Sequence, residues 1–129
     1  MSWCEQMFHY RFKDDILLQT ALTHRSHSAN NNERLEFLGD AVLDLVISEL
    51  LYQFYSEQTE GSLSRMRSNL VKGETLAVLA KELNLGDYLV LGKGENTSGG
   101  RERLSLLSNA LEAVIGAIFL DGGYVAAKN

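Results

Sequence analysis

The 129-residue sequence has no proline and only one cysteine, Cys4. A single thiol cannot build an internal disulfide framework, so the chain must be held by packing, and it fits a reducing compartment, the cytoplasm. Proline averages near 5% of residues elsewhere, and its absence excludes a Pro-rich linker. No repeat or low-complexity tract divides the chain either. No run approaches the roughly 20 apolar residues needed to span a bilayer, so no membrane association is expected. The N-terminus (MSWCEQMFHYRF) lacks the basic-then-apolar order of a signal peptide. Basic residues are also scarce: 12 Lys and Arg against 17 Asp and Glu give a net charge of −5. On its own that argues against a nucleic-acid binder. The arrangement of charge counts for more than its sum, because clustered carboxylates can hold metal ions that face phosphates.

What is present is an ordinary globular composition, 45% hydrophobic and 22% charged, in a chain long enough to bury a core. We read residues 1–129 as one domain. The periodicity is helical nearly throughout. Asp14 and Asp15 open a helix with Ile16, Leu17, Leu18 and Leu22 on its apolar stripe, and the Asn-rich stretch 27–32 reads as a loop. A long helix is predicted from Glu33 to about Phe54, another from about Gly61 to Val71, and a third over 74–83 after a break at Gly73. The segment GKGENTSGG (92–100) reads as a flexible loop, and a last helix runs from about Arg103 to Leu120, ended by Asp121-Gly122-Gly123. Trp3 and Cys4 read as core or interface residues of a short first helix, and His24 as a satisfied structural histidine.

The chemistry is expected in the long helix. At about 100° per residue, Glu33, Glu36, Asp40 and Asp44 fall within an arc of roughly 80°. Ala41, Val42, Leu43, Leu45, Val46 and Ile47 surround them, which predicts a helix buried on most of its circumference. Buried carboxylates must be neutralised by protons, cations or metal. Glu33 and Glu36 could equally be favoured by the dipole at the helix N-terminus, and that alternative stays open for this helix alone. The last helix adds a second group. Asn109 and Glu112 are i, i+3 neighbours on one face of an otherwise apolar helix. Gly116 and Ala117 would allow a close approach that brings Glu112 to Glu36 and Asp40. Such oxygen ligands suit Mg²⁺ or Mn²⁺ rather than zinc.

The run Asn32-Glu33-Arg34-Leu35-Glu36-Phe37-Leu38-Gly39-Asp40-Ala41-Val42-Leu43 resembles the signature of the bacterial ribonuclease III family. Three further blocks resemble it too: Leu22-Thr23-His24-Arg25-Ser26, Glu60-Gly61 with Leu63-Ser64-Arg65-Met66-Arg67, and Leu111 to Ala117. The resemblance spans roughly residues 8–125. It implies the all-α ribonuclease III endonuclease fold, a homodimer, and Mg²⁺-dependent hydrolysis of double-stranded RNA in RNA processing. The expected products carry 5′-phosphate and 3′-hydroxyl ends with short 3′ overhangs.

By position, the resemblance makes Glu36, Asp40, Asn109 and Glu112 the metal ligands. It makes Asp40, Glu112, Glu33 and Glu60 the catalytic acids, and Phe37 the side chain that enters a socket on the partner. Lys93, Arg101 and Arg103 are candidate RNA contacts. The family's usual double-stranded-RNA-binding domain has no counterpart here, implying either a piece of a longer protein or weak RNA binding. Three positions depart from the pattern: Asn109 and Ser62 stand where aspartate is usual, and Leu104 where proline is usual. An amide at 109 offers a carbonyl oxygen but no charge. A catalytically impaired scaffold that binds RNA or dimerises is therefore the alternative function.

Overall fold

The computed structural model describes residues 3–128, all of whose regular structure is helical. In chain order the helices are α1 (Trp3–Phe8), α2 (Asp15–Ala21), α3 (Glu33–Phe54), α4 (Glu60–Val71), α5 (Gly73–Glu82), α6 (Lys93–Thr97) and α7 (Leu104–Lys128). Two 3₁₀ turns, Leu85–Tyr88 and Gly100–Glu102, lie between α5 and α7. Local chemistry explains the starts. The Asp14 carboxylate accepts from the Ile16 N–H at 3.0 Å, and the Thr59 hydroxyl accepts from the Ser62 N–H at 3.2 Å. Asn31 does the same for α3, its Oδ1 accepting from the Glu33 N–H at 3.0 Å.

The bundle is organised around α3 and α7, the largest packing pair, with α2 and α5 also against α7. On α3 the buried positions Leu35, Gly39, Val42 and Val46 follow i, i+4, i+7, i+11 and form the face toward α7. α7 supplies Leu107, Ala110, Leu111, Ala113, Val114, Ala117 and Ile118 to the core. Two glycines set how near the helices come. A Cβ on Gly39 would overlap the Glu112 carbonyl, and one on Gly116 would lie 2.5 Å from the Leu35 carbonyl oxygen. Backbone therefore meets backbone there, and side chains flanking the crossing are pushed into one another's range.

Four expectations need correction. α3 is not buried on most of its circumference: Phe37 is 82% and Leu45 is 56% exposed, and with Ala41 they form an open i, i+4, i+8 stripe. The 92–100 segment is not a loop throughout but contains α6 and leads into a 3₁₀ turn. Two of its four glycines serve close packing, and Gly99 serves a turn at φ 85°. A side chain at Gly92 would collide with the Ser26 carbonyl, and one at Gly100 would press on Glu95 and Leu91. α7 does not stop at Asp121. Gly123 departs from helical geometry (φ 87°, ψ −178°), and the chain then resumes to Lys128. The Glu49 carboxylate holds that last turn, accepting from Tyr124 Oη at 3.1 Å and Lys128 Nζ at 2.7 Å. Finally, α7 is long and apolar enough by length and composition to cross a membrane, contrary to the sequence reading. Most of that stretch is buried among the other helices, which accounts for its apolarity.

The N-terminal segment is fastened to the end of α7. Asp121 accepts from Tyr10 Oη at 2.6 Å and from the N–H groups of Lys13 and Asp14 at 2.8 and 3.0 Å. Those hydrogen bonds, Tyr10's first, hold its carboxyl below the usual range. Cys4 is buried, and burial pushes its thiol up to about 11, the inert rather than the nucleophilic direction.

Candidate active site

The α3–α7 crossing carries the acids. Glu33, Glu36, Phe37 and Asp40 from α3, with Glu112 from α7, line an open valley of about 470 Å³. Glu36 and Glu112 are half-buried, while Glu33 and Asp40 are exposed. The Glu112 carboxyl group is pushed up to about 8. Burial is the main cause, followed by a hydrogen bond with the Asp40 carboxyl and repulsion from Asp40, Glu36 and Asp44. Glu36 is also raised, by burial and then by Glu33 and Asp40, with Arg25 opposing. Asp44 is raised by burial and by Asp40, with Arg67 opposing.

The acidic row is thus bracketed by arginines. Arg25 lies 3.6 Å from Glu33 at one end, and Arg67 donates to Ser48 Oγ at 2.9 Å near the other. Between them, burial and the neighbouring acids Asp40, Glu36 and Asp44 favour the protonated form of Glu112, which a cation could replace. That is the donor chemistry of a hard divalent cation: three carboxylates in mutual repulsion, all oxygen, open to water. As they lie, no three acidic, imidazole or thiol groups among the described residues converge on a single point. The acids are near enough to repel, yet a bound ion would have to draw them together.

The other candidate residues fall less simply. Asn109 is half-buried and lines a smaller chamber of about 110 Å³ with His24, Arg25, Ser105, Glu33 and Glu36. Glu33 and Glu36 are the wall between that chamber and the valley. Glu60 is the exposed first residue of α4 and lines neither cavity in the single protomer. Phe37 stands between the valley and an apolar groove of about 1000 Å³ lined by Ile16, Leu17, Leu35, Leu38 and Leu120.

Of the three candidate RNA contacts, Lys93 is exposed at the start of α6. Arg101 donates to the carbonyls of Gly86 and Leu89 at 3.0 and 2.7 Å and to Asn96 Oδ1 at 2.8 Å. Arg103 pairs with Glu95 at 3.1 Å. The side chains of Arg101 and Arg103 therefore tie the 86–103 segment together.

This pair of helices, carrying its acids across a glycine crossing, has close counterparts. A family model described as Ribonuclease-III-like matches residues 14–129. The chain belongs to the ribonuclease III family. Ribonuclease 3 of Pseudomonas fluorescens strain SBW25 is 58% identical over 124 residues, which is 96% of this chain and 54% of that protein. Ribonuclease 3 of Nitrosococcus oceani is 56% identical over 119 residues, 92% of this chain and 51% of its own length. The chain thus spans about half the length of the curated relatives it matches. A solved nuclease domain of ribonuclease III from Campylobacter jejuni, described for flexibility in its dimer-forming region, superposes with a TM-score of 0.96 at 50% identity. That match covers 98% of this chain and 90% of that one. Dicer from Pichia stipitis superposes more loosely, with a TM-score of 0.68 at 29% identity over 89% of this chain and 49% of that one. The fold is therefore that of a ribonuclease III nuclease domain.

Proposed function

We propose that this domain is a divalent-metal-dependent endoribonuclease that cuts double-stranded RNA as a homodimer in RNA processing. The observation that carries the reading is the open valley in which Glu33, Glu36 and Asp40 of α3 face the half-buried Glu112 of α7 across the glycine crossing. A cation there would be held by Glu36, Asp40 and Glu112, with Asn109 offering its side-chain carbonyl oxygen from the adjoining chamber. Mg²⁺, or Mn²⁺ in its place, would supply charge for the phosphate oxygens and an acidified water.

The chain's own groups do the rest. Glu112 would have to be ionised to hold the ion, and Glu33 lies on the wall between the valley and the chamber. Glu60 would line the cleft once the dimer forms. In the proposed reaction water adds to phosphorus and gives up a proton while the bond to the 3′ oxygen breaks and that oxygen takes up a proton, leaving 5′-phosphate and 3′-hydroxyl ends. Phe37, exposed beside an apolar groove, fits a socket on the second copy.

One residue favours a second reading, a catalytically silent scaffold of the same fold. Asn109 brings no charge to a site whose affinity for a divalent ion rests on charge. Cleavage of a long RNA duplex with and without Mg²⁺ decides between them. Mg²⁺-dependent cuts to short duplex products are expected, abolished by Glu112→Gln and by Asp40→Asn. Asn109→Asp should raise cleavage and lower the Mg²⁺ needed. If the parent cuts nothing while Asn109→Asp cuts, the scaffold reading holds. If neither cuts, the enzyme reading fails altogether.

A further inference from the structure

Arg25, reaching in from the loop before α3, is the basic side chain that pairs with the first turn of the acidic row. Its guanidinium is 3.6 Å from Glu33, a loose pair with the Arg25 side chain 70% exposed, and it makes no hydrogen bond among the described residues. Its field is the one that counters the raised Glu36 carboxyl. Two of the other candidate arginines are spent, Arg101 on backbone carbonyls and Arg103 on Glu95.

The backbone beneath Arg25, by contrast, is fixed. The His24 N–H donates to the Val90 carbonyl at 2.9 Å, and the Gly92 N–H donates to Ser26 Oγ at 2.8 Å. The Ser26 N–H donates to His24 Nδ1 at 3.1 Å, and Ser26 Oγ lies 2.8 Å from the same nitrogen. These bonds consume the His24 nitrogen facing the turn, so histidine is a brace and arginine is the free end. A guanidinium on a rigid support, with its planar fork unspent, is pre-organised for a phosphate.

The chamber that Arg25 lines shares Glu33 and Glu36 with the valley, so a nucleic-acid strand crossing the valley brings more negative charge to that wall. We propose that Arg25 is a substrate-binding residue that grips a backbone phosphate next to the one being cut, its guanidinium moving from Glu33 to do so. This rests on the function proposed above. Each phosphate neutralised by a protein cation contributes about 0.9 to the slope of log affinity against log salt. Losing one contact therefore has its own signature, distinct from a general loss of structure.

The test is binding of a short RNA duplex, in EDTA, across about 50 to 200 mM salt, by the parent domain, Arg25→Gln and Arg25→Lys. Arg25→Gln should bind roughly tenfold more weakly at low salt and lose about one unit of slope. Arg25→Lys should keep the slope but not the full affinity, because it retains the charge without the fork. In cleavage the change should fall on KM, with kcat retained. Mn²⁺ titration of the RNA-free protein should give equal or tighter binding for Arg25→Gln, since a cation has left the carboxylates. An unchanged salt slope in Arg25→Gln overturns the proposal, as does weaker Mn²⁺ binding, which would make Arg25 a support of the acids instead. A parent domain that binds no duplex defeats the function reading and this one with it. A parent that binds and cuts, with Arg25→Gln indistinguishable from it, defeats this one alone.

Discussion

Glu112 is the residue on which the site's proton balance turns. Its folded carboxyl titrates near 8, against 4.5 for the free group, so the native state holds a proton that the unfolded chain has released. Below the unfolded value both states carry it and there is no penalty. As pH rises toward 8 the unfolded state alone ionises, and native stability falls until the native group ionises as well. The metal-free domain should therefore melt at progressively lower temperature from about pH 5 to 8. Glu112→Gln should flatten that slope, and equal slopes in the two proteins would remove Glu112 as its source. The acids themselves were legible in the sequence, because 3.6 residues per turn places Glu33, Glu36 and Asp40 together whatever surrounds them. Glu60 was not legible, since nothing in its spacing says which helix it will face. Nor was the commitment of Arg101 to two carbonyls, which depends on the path of a turn 12 to 15 residues away.

Among the elements, the α3–α7 crossing has the least tolerance. Gly39 stood in the sequence only as part of the family-like run, whereas Gly116 beside Ala117 announced a close approach. The structure pairs the two glycines, and the tighter contact is at Gly39. Gly39→Ala should gain intrinsic helix propensity and still destabilise by about 3 kcal/mol, because the new methyl meets the Glu112 backbone rather than a movable side chain. Denaturant unfolding would measure it, and a stabilised variant would mean the crossing is looser than described. Helix bounds for α3 were readable from caps and period. The GKGENTSGG segment was misread because glycine content signals mobility and close packing alike. Only the neighbours of Gly92 and Gly100 tell the two apart.

For the whole molecule, the open stripe of Phe37, Ala41 and Leu45 is the unfinished part of the fold. The apolar pattern put Ala41 and Leu45 in a mostly buried helix while the resemblance gave Phe37 a socket on a partner, and one protomer leaves all three in solvent. With the apolar groove beside them, they are the surface offered to the second copy proposed above. Phe37→Ala should weaken that dimer by about 2 kcal/mol or more, the usual cost of truncating a buried aromatic anchor. Sedimentation velocity across a concentration series would register the shift toward monomer. An unchanged association constant would place the socket elsewhere.

The packing of α2, α3 and α5 on α7 also bears on how the domain comes to be made. A ribosome releases the α3 positions at the crossing more than seventy residues before those of α7 that cover them, so Leu35, Val42 and Val46 emerge without their main packing partner. Asp121, the anchor for the Tyr10–Asp14 segment, is synthesised more than a hundred residues after the groups it binds. Native structure therefore cannot accrue from the N-terminus as the chain lengthens. It waits for α7 to clear the exit tunnel, and the nascent chain meanwhile presents its apolar faces to whatever chaperones attend it.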